Sequence, residues 1–530
     1  MALLEEDAEV IGLLEGDALI AFAHAYLRRG MPDPQPAAAA LAEEIRAAFA
    51  LADARGSAPM AVRAATSPEG GTMLQTNTAD LPFLVDSVQE ELRARDLHVL
   101  RDTHPIVGVQ RDAAGHIARV GDPRELPTES VMHFELDRRL EADELAALED
   151  CVRDVLATVQ RVVADFPAMV ERVEAFAAEL ESDDDAAFLR WLLDGHFVLL
   201  GIVGGGPNLG LARGDVPAGE GLVVGKTAEF SHVHRRARMD SIALGGRWRI
   251  IGLFTSRAYA EPASSTPLLA TKLDHILAGL DLIEGSHDYK AAVTLFDSFP
   301  KDELFAARSE ELQGAVAALM ELRADESRLL ARVGTDGRSA SLIAAVPRAH
   351  LSADVRERVR TLIAEQYGAD GVDVYEVLGE GDRMQVHLIA YAAEGLKEVS
   401  TPDLEAELRE LTRTWDDRLR EELIRRHGRE RGRMLGARWA RRLPEQYKAS
   451  LSPAAGAEDV SCLERLATGA SDLVVGLAED DADPTRPRTR VSLYKRGPKI
   501  ELSRATPLLE HLGLRAIEEM ATRLEAEPEL

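Results

Sequence analysis

GTMLQTNTADLPFLVDSVQEELRARDLHVL, residues Gly71–Leu100, is the stretch whose reading decides the fold. Thr72–Asn77 reads as a short strand. Asp80-Leu81-Pro82 then turns the chain into a helix, with Asp as the cap and Pro in the first turn, where its missing N–H has no partner to lose. Leu84, Val85, Val88 and Leu92 recur at helical spacing and line one face. Working outward, Leu97–Leu100, Ile106–Gln110 and Val131–Leu136 read as strands, and AAGH at Ala113–His116 turns a hairpin. A second amphipathic helix carries Leu145, Leu148, Val152, Val155, Leu156, Val159 and Val163. Strand–helix–strand–strand–helix is the order of a split βαβ unit, a small sheet with both helices on one face. The turn at Asp80 either binds a small ligand or packs.

Composition bounds the rest. A chain of 530 residues is expected to hold roughly three or four domains. Its net charge of −29 opposes nucleic-acid binding, because a phosphate backbone repels such a surface. No apolar run reaches the roughly 20 residues that span a membrane, and MALLEEDAEV lacks the basic start of a signal peptide. The two cysteines, Cys151 and Cys462, exclude a disulfide framework and a cysteine-based zinc site. A cytoplasmic location is the default.

Residues 1–65 read as helical, with a Pro-marked break at Met31–Ala40. Past Asp165 the helical pattern continues to Glu181. HFVLLGIV, His196–Val203, is short enough to be a buried strand. Gly221–Val224, Ile242–Leu244 and Trp248–Phe254 extend a mixed sheet, and Thr266–Leu282 is helical. Ser327–Val333 and Ser339–Val346 form a hairpin across Gly334-Thr335-Asp336-Gly337. A helix with Val355, Val359, Leu362 and Ile363 follows, then strands at Val372–Val377 and Met384–Tyr391. Met384, Val386, Leu388 and Ala390 alternate with Gln385, His387, Ile389 and Tyr391, the period of a sheet with one better-buried face. Pro402 to about Trp439 reads as the longest helical region. Asp480–Arg490 reads as a linker, Val491–Tyr494 as a strand, Thr506–Leu512 as a helix and Leu514–Met520 as a strand. A half-built sheet is then left at Leu530, and the expectation is a fragment of a longer protein.

The motifs that invite chemistry have simpler accounts. Gly204–Gly210 does not fit a phosphate loop, and Pro207 removes a donor, so it reads as a turn. Gly379–Asp382 reads as an acidic hairpin. His232, His234 and His287 lack a carboxylate or cysteine cluster nearby in sequence, which disfavours a metal. Ser286-His287-Asp288 holds triad residue types, but adjacent residues cannot line up as nucleophile, base and orienter; a helix cap or turn is expected. The arginines between Arg425 and Arg442 follow glutamates on the same helix and read as a solvated or interdomain face. Phe296–Phe305 reads as a helix start after Pro300 with Phe299 and Phe305 packed. No catalytic, cofactor-binding or metal-binding residue is assigned.

An ordered set of segments resembles the N-terminal, non-catalytic region of the large bacterial NAD-specific glutamate dehydrogenases. They are LPFLVDSV (Leu81–Val88), HPIVGV (His104–Val109), SVMHFELD (Ser130–Asp137), LRWLLDGHFVLLG (Leu189–Gly201) and SHVHRRARMD (Ser231–Asp240). LFTSRAY (Leu253–Tyr259), SHDYK (Ser286–Lys290), PKDELF (Pro300–Phe305), TWDDRL (Thr414–Leu419) and LSRATPLLEHLGLR (Leu502–Arg515) continue it. The resemblance implies an α+β multidomain chain with repeated ferredoxin-like, ACT-type βαββαβ modules, a mixed PAS-like middle domain and helical segments. The expected division is a helical segment at 1–65, an ACT-like module at 70–165 and a helical plus PAS-like domain at 166–325. A second ACT-like module at 326–398, a helical segment at 401–480 and the start of a third module at 488–530 complete it.

The resemblance also implies that the full polypeptide oxidatively deaminates L-glutamate with NAD. The cofactor and catalytic residues then lie in a downstream dehydrogenase domain, with no cofactor in this chain, and a homo-oligomer is implied. The alternative is a stand-alone amino-acid-sensing module. For a small amino-acid effector the resemblance points to Asn77, Thr78, Asp80, Leu81, Pro82, Phe83 and Leu84. Phe83 stands where ligand-binding modules of this type carry a glycine that lets the ligand approach the backbone, which favours packing.

Overall fold

The computed structural model describes residues 5–28, 36–67, 70–216, 221–323, 326–334, 337–377, 383–469, 472–480, 488–498 and 500–524. Parts of four sequence readings fall outside them: the break at Met31–Ala40, the turn at Gly334–Gly337, the acidic hairpin Gly379–Asp382 and the linker Asp480–Arg490. The chain divides into two compact units, Met1–Glu321 and Leu322–Leu530.

Unit 1 opens with α1 (Glu5–Gly12), α2 (Asp17–Leu27) and α3 (Ala38–Ala54). The sheet follows as β1 (Met60–Thr66), β2 (Thr72–Ala79), then α4 (Leu84–Ala94), β3 (Val99–Thr103), β4 (Ile106–Arg111), β5 (Ile117–Gly121) and β6 (Thr128–Leu136). Its order is β1-β2-β6-β4-β5, with β3 also on β6, and the pairings are antiparallel. Met60–Thr66, read as the end of a helical segment, is thus an edge strand. Its small residues Val62 and Ala64 alternate inward, and β2 supplies the pairing that the local sequence does not reveal.

Successive residues of β2 and β6 point to opposite faces. Leu74, Phe134 and Leu136 face the side of α4 and of the long helix α5 (Ala142–Glu179). Val131, with Val107, Val109 and Val120, packs against α1–α3. Helix α5 starts with a capping box between Glu141 and Glu144 and runs unbroken through Pro167. At 1.5 Å per residue it is about 57 Å long, enough to serve two sheets. Its first half packs on α4 and β1, and its second half on the next sheet, where Phe176 stacks on Trp248 with ring centroids 4.8 Å apart.

That second sheet follows α6 (Asp183–Trp191) and consists of β7 (Phe197–Val203), β8 (Leu209–Gly210), β9 (Leu222–Phe230), β10 (Arg238–Leu244) and β11 (Trp248–Phe254). The order is β8-β7-β11-β10-β9, antiparallel throughout. Of the expected turn Gly204–Gly210, residues 204–208 turn the chain and Leu209–Gly210 pairs as β8; Arg172 on α5 donates to the carbonyls of Gly204 and Pro207. Then come α7 (Ser256–Ala260), α8 (Leu269–Gly279), α9 (His287–Asp297), α10 (Lys301–Ala306) and α11 (Ser309–Met320). Ser286 caps α9 by accepting from the Tyr289 N–H, and α10 begins after Pro300 with Phe299 and Phe305 buried.

Unit 2 begins with β12 (Arg328–Val333), β13 (Ser339–Pro347), α12 (Ala353–Tyr367), β14 (Gly371–Val377), β15 (Arg383–Tyr391) and α13 (Thr401–Thr412). The sheet order is β12-β13-β15-β14. Leu342, Val386, Leu388 and Ala390 form its core with Val359 and Ile363 of α12 and Leu404 and Leu408 of α13. A βαββαβ module was expected here; the chain instead runs ββαββα. The strand beside the module's first βα strand precedes it rather than following the second helix. β1 holds the same place beside β2 in unit 1. Strand positions are kept, but the chain enters at a different point.

The region read as one long helix is three: α13, α14 (Trp415–His427) and α15 (Arg429–Trp439). Thr414 caps α14, and Gly428 breaks the run between α14 and α15 at φ +80°, a backbone conformation that favours glycine. Then follow α16 (Glu445–Ser450), α17 (Pro453–Ala467), a hairpin of β16 (Leu473–Asp480) and β17 (Arg488–Lys495), and α18 (Leu502–His511). Leu514–Met520, read as a strand, is irregular, with no strand laid beside it among the described residues. No helix among the described residues is long and apolar enough to cross a membrane.

Candidate functional site

The seven residues singled out for an effector lie in differing environments. Asn77 and Thr78 are fully buried in β2 and point to opposite faces. The Asn77 amide donates to Glu129 Oε2 (3.2 Å) and to the Ser130 carbonyl (3.3 Å), on the face covered by α3. Asp80 does not cap α4; its N–H donates to the Thr128 carbonyl, which extends the β2–β6 pairing. Pro82 and Phe83 form the turn, and Leu84 enters the core.

Phe83 is the residue before α4 and stands at φ +71°, ψ 2°. A left-handed phenylalanine is uncommon and costs roughly 1–2 kcal/mol. Its ring lies 5.3 Å from that of His234, itself at φ +70°. The loop between β9 and β10 therefore rests on α4. The His234 N–H donates to Ser87 Oγ (3.0 Å), His234 Nδ1 lies 3.0 Å from Asp86 Oδ2, and His232 Nδ1 lies 3.7 Å from Glu91. His232 and His234 thus meet carboxylates that sequence proximity could not reveal.

Asn77 belongs to a different assembly. Arg111 grips Glu129 with two hydrogen bonds (2.8 and 2.9 Å), and Arg55 joins from the end of α3 at 2.7 Å. Burial pulls the Arg55 pKa down, while Glu129 opposes that shift. Beside this group, Glu44, His133 and Glu135 bring ligand atoms within 4.8 Å of one another, a donor set suited to a divalent metal. Arg101, however, pairs with Glu44 and reaches within 3.7 Å of Glu135. The chain supplies its own cation there. Tyr26 donates to Glu44 at 2.6 Å, and burial together with that carboxylate raises its pKa well above the ordinary value.

A third cluster gathers the ends of segments far apart in sequence. Lys226 on β9 lies 2.6 Å from Asp240 on β10 and 2.8 Å from Asp302 on α10. Tyr259 donates to Asp302 at 2.7 Å, and the Phe254 N–H donates to Asp240 at 3.1 Å. Burial, and then the second carboxylate, push Asp240 up to about 6. Burial would lower the Lys226 pKa, but Asp302 and Asp240 outweigh it and raise it. Adjacent to this, Lys301 lies 5.7 Å from the Trp191 ring centre, Trp191 stacks on His196, and both hydrogen-bond or pair with Glu261 (2.8 and 3.2 Å). None of these residues was singled out from the sequence as a site. The available signal was that Asp240, Tyr259 and Lys301-Asp302 lie within or at the end of three quoted segments, SHVHRRARMD, LFTSRAY and PKDELF.

Five families match along the chain. Residues 37–152, 328–416 and 476–529 match the ACT1, ACT2 and ACT3 domains of glutamate dehydrogenase, and residues 266–325 and 422–466 its helical motifs 1 and 2. These stretches are similar to the ACT-type and helical domains of glutamate dehydrogenase. Curated relatives agree. The chain is 27% identical to NAD-specific glutamate dehydrogenase of Halomonas elongata, over 84% of this chain and 31% of that protein. It is 26% identical to that of Pseudomonas aeruginosa, over 86% and 31%, and 24% identical to that of Mycobacterium tuberculosis, over 88% and 32%. These matches support the glutamate dehydrogenase family for this chain, which spans about a third of the length of these relatives.

Proposed function

We propose that this chain is the regulatory and assembly region of an NAD-specific glutamate dehydrogenase. The polypeptide it serves takes L-glutamate, water and NAD to 2-oxoglutarate, ammonium and NADH, in the cytoplasm and as a homo-oligomer. The hydride chemistry belongs to the nicotinamide and to a separate dehydrogenase domain. The observation that carries this reading is the ordered run of five matched families, each an ACT domain or a helical motif.

The role of these residues is mechanical. Helix α5 packs on two sheets, so a shift in the ACT-type sheet of unit 1 is passed to the middle sheet through one rigid element. We read that five-stranded middle sheet, with its helices, as PAS-like. The Lys226–Asp240–Asp302–Tyr259 cluster ties two of its strands to α7 and α10. The turn at Asp80–Leu84 acts as a docking element for the β9–β10 loop, because Phe83 meets His234 where an effector would approach.

The test is spectrophotometric. The purified chain, given glutamate and NAD, is expected to form no NADH above a protein-free blank. Turnover approaching that of a complete glutamate dehydrogenase would overturn the assignment.

A further inference from the structure

Glu44 on α3, with His133 and Glu135 on β6, is the one cluster among the described residues that has the donor set of a metal site. A strand turns every second side chain to the same face, so His133 and Glu135 project together towards α3. His133 Nε2 lies 3.4 Å from Glu44 Oε2 and 3.0 Å from Glu135 Oε1. Neighbouring ligands of a tetrahedral zinc ion, each bound at about 2.0–2.1 Å, stand about 3.3 Å apart. The three atoms are therefore already at coordination spacing. Two carboxylates and a neutral imidazole also balance a divalent charge.

The groups behind them support the same reading, because metal ligands are held in place by hydrogen bonds from outside the coordination sphere. Tyr26 donates to Glu44 Oε1 at 2.6 Å and leaves Oε2 facing His133. Gln75 lies behind the imidazole, with its Nε2 3.2 Å from His133 Nδ1. The Gln75 side chain is fully buried, yet its Oε1 has no hydrogen-bond partner. Turning that amide over sets Oε1 against an Nδ1–H and leaves the lone pair of His133 Nε2 for a metal.

Arg101 fills this place poorly. Its Nη2 pairs with Glu44 but stops 3.4 Å from His133 Nε2 and 3.7 Å from Glu135 Oε1. Charge-assisted hydrogen bonds run at about 2.7–2.9 Å. A planar guanidinium cannot aim donors at three converging atoms, whereas a spherical ion serves all three. Arg101 also has a way out. It stands on β3, which among the described residues pairs with β6 alone, and the pairing shifts register beside it at Leu100, itself 71% exposed.

We propose that Glu44, His133 and Glu135 bind a divalent transition-metal ion of the zinc type, and that Arg101 is a tethered cation which the ion displaces into solvent. Water takes the fourth position. The bound ion ties α3 to β6 and so fastens the α1–α3 layer to its sheet, a task that Arg101 performs in the metal-free chain. The inference rests on this geometry and not on the proposed function.

Isothermal titration calorimetry of the whole chain with zinc chloride is expected to give one site per chain. His133→Ala and Glu135→Gln are each expected to weaken binding by at least about tenfold. Arg101→Gln, which removes the competitor and leaves the ligands, is expected to tighten it by a similar factor. Circular dichroism checks that each variant remains folded, and the Arg101→Gln arm decides the question if His133→Ala does not fold. Cobalt(II) in place of zinc is expected to give the visible absorption of a tetrahedral site, absent from His133→Ala. A wild-type chain that binds no zinc overturns the proposal. Binding indifferent to His133→Ala places the ion on other residues and overturns the site, and binding no tighter in Arg101→Gln overturns the displacement.

Discussion

The ACT-type sheet of unit 1 and that of unit 2 share an arrangement of strands but differ in what lies on their second face. In unit 1 the helices α1–α3 form a second layer, and ionic groups are sealed under it: Glu129 with Arg55 and Arg111, and Glu44 with Arg101. In unit 2 the core cluster draws on α12 and α13 alone. On its opposite strand face Ser341 Oγ lies 2.8 Å from His387 Nε2, with the Tyr375 ring beside the same histidine. The buried ionic layer of unit 1 is tolerated because each of these carboxylates has a cationic partner. Buried ion pairs are costly to break and weak as net stabilisers, so unit 1 should respond more sharply to loss of a single charge.

Glu129→Ala tests this most severely, because it leaves two buried guanidinium groups facing each other. A loss of about 3–5 kcal/mol is expected, read as faster hydrogen exchange in β2, β4 and β6 with unit 2 unchanged. A loss below about 1 kcal/mol would mean that the ionic layer is incidental. Leu388→Ala makes the matching lesion in unit 2, where apolar packing dominates; about 2–5 kcal/mol is expected, confined to β13, β15 and α12.

A pH series separates ionic from apolar stabilisation. Asp240 binds its proton more tightly when folded, titrating at about 6, than in the unfolded chain. Its contribution is present at acid pH and is lost as pH rises through 6. The stability of the wild type relative to Asp240→Asn should thus fall by something on the order of 2 kcal/mol between pH 4 and 7. A flat difference would mean that Lys226 fully offsets the burial of Asp240 and the charge of Asp302. The smallest effect concerns Phe83 and His234. A double-mutant cycle through Phe83→Ala and His234→Ala should give a coupling of about 0.5–1.5 kcal/mol by denaturant unfolding, and zero coupling would show that the two rings merely sit near each other.

Periodicity was a good guide wherever one face of an element meets an apolar core. Leu84, Val88 and Leu92 on α4 follow their expected spacing; on β15 Val386, Leu388 and Ala390 reach the core, but Gln385, His387 and Ile389 on the other face are buried as well, so the expected contrast between its faces is absent. It failed where a polar face is buried. Gln75, Asn77, Glu129 and His133 alternate as a solvent-facing set would, yet all four are buried, because α3 arrives from an earlier part of the chain to cover them. It also misled at Met60–Thr66, whose alanines favour a helix until β2 offers a ladder.

The sequence by itself determined the α+β character, most of the strands and the family resemblance, since these depend on local pattern and on motifs that run in order. Three things came only with the tertiary structure: the edge strand β1 that opens the module of unit 1, the pairing of Lys226 with Asp240 and Asp302, and the meeting of Phe83 with His234. Each depends on contacts between residues distant in the chain, where position is set by packing and by the pairing of buried charges rather than by neighbours in sequence.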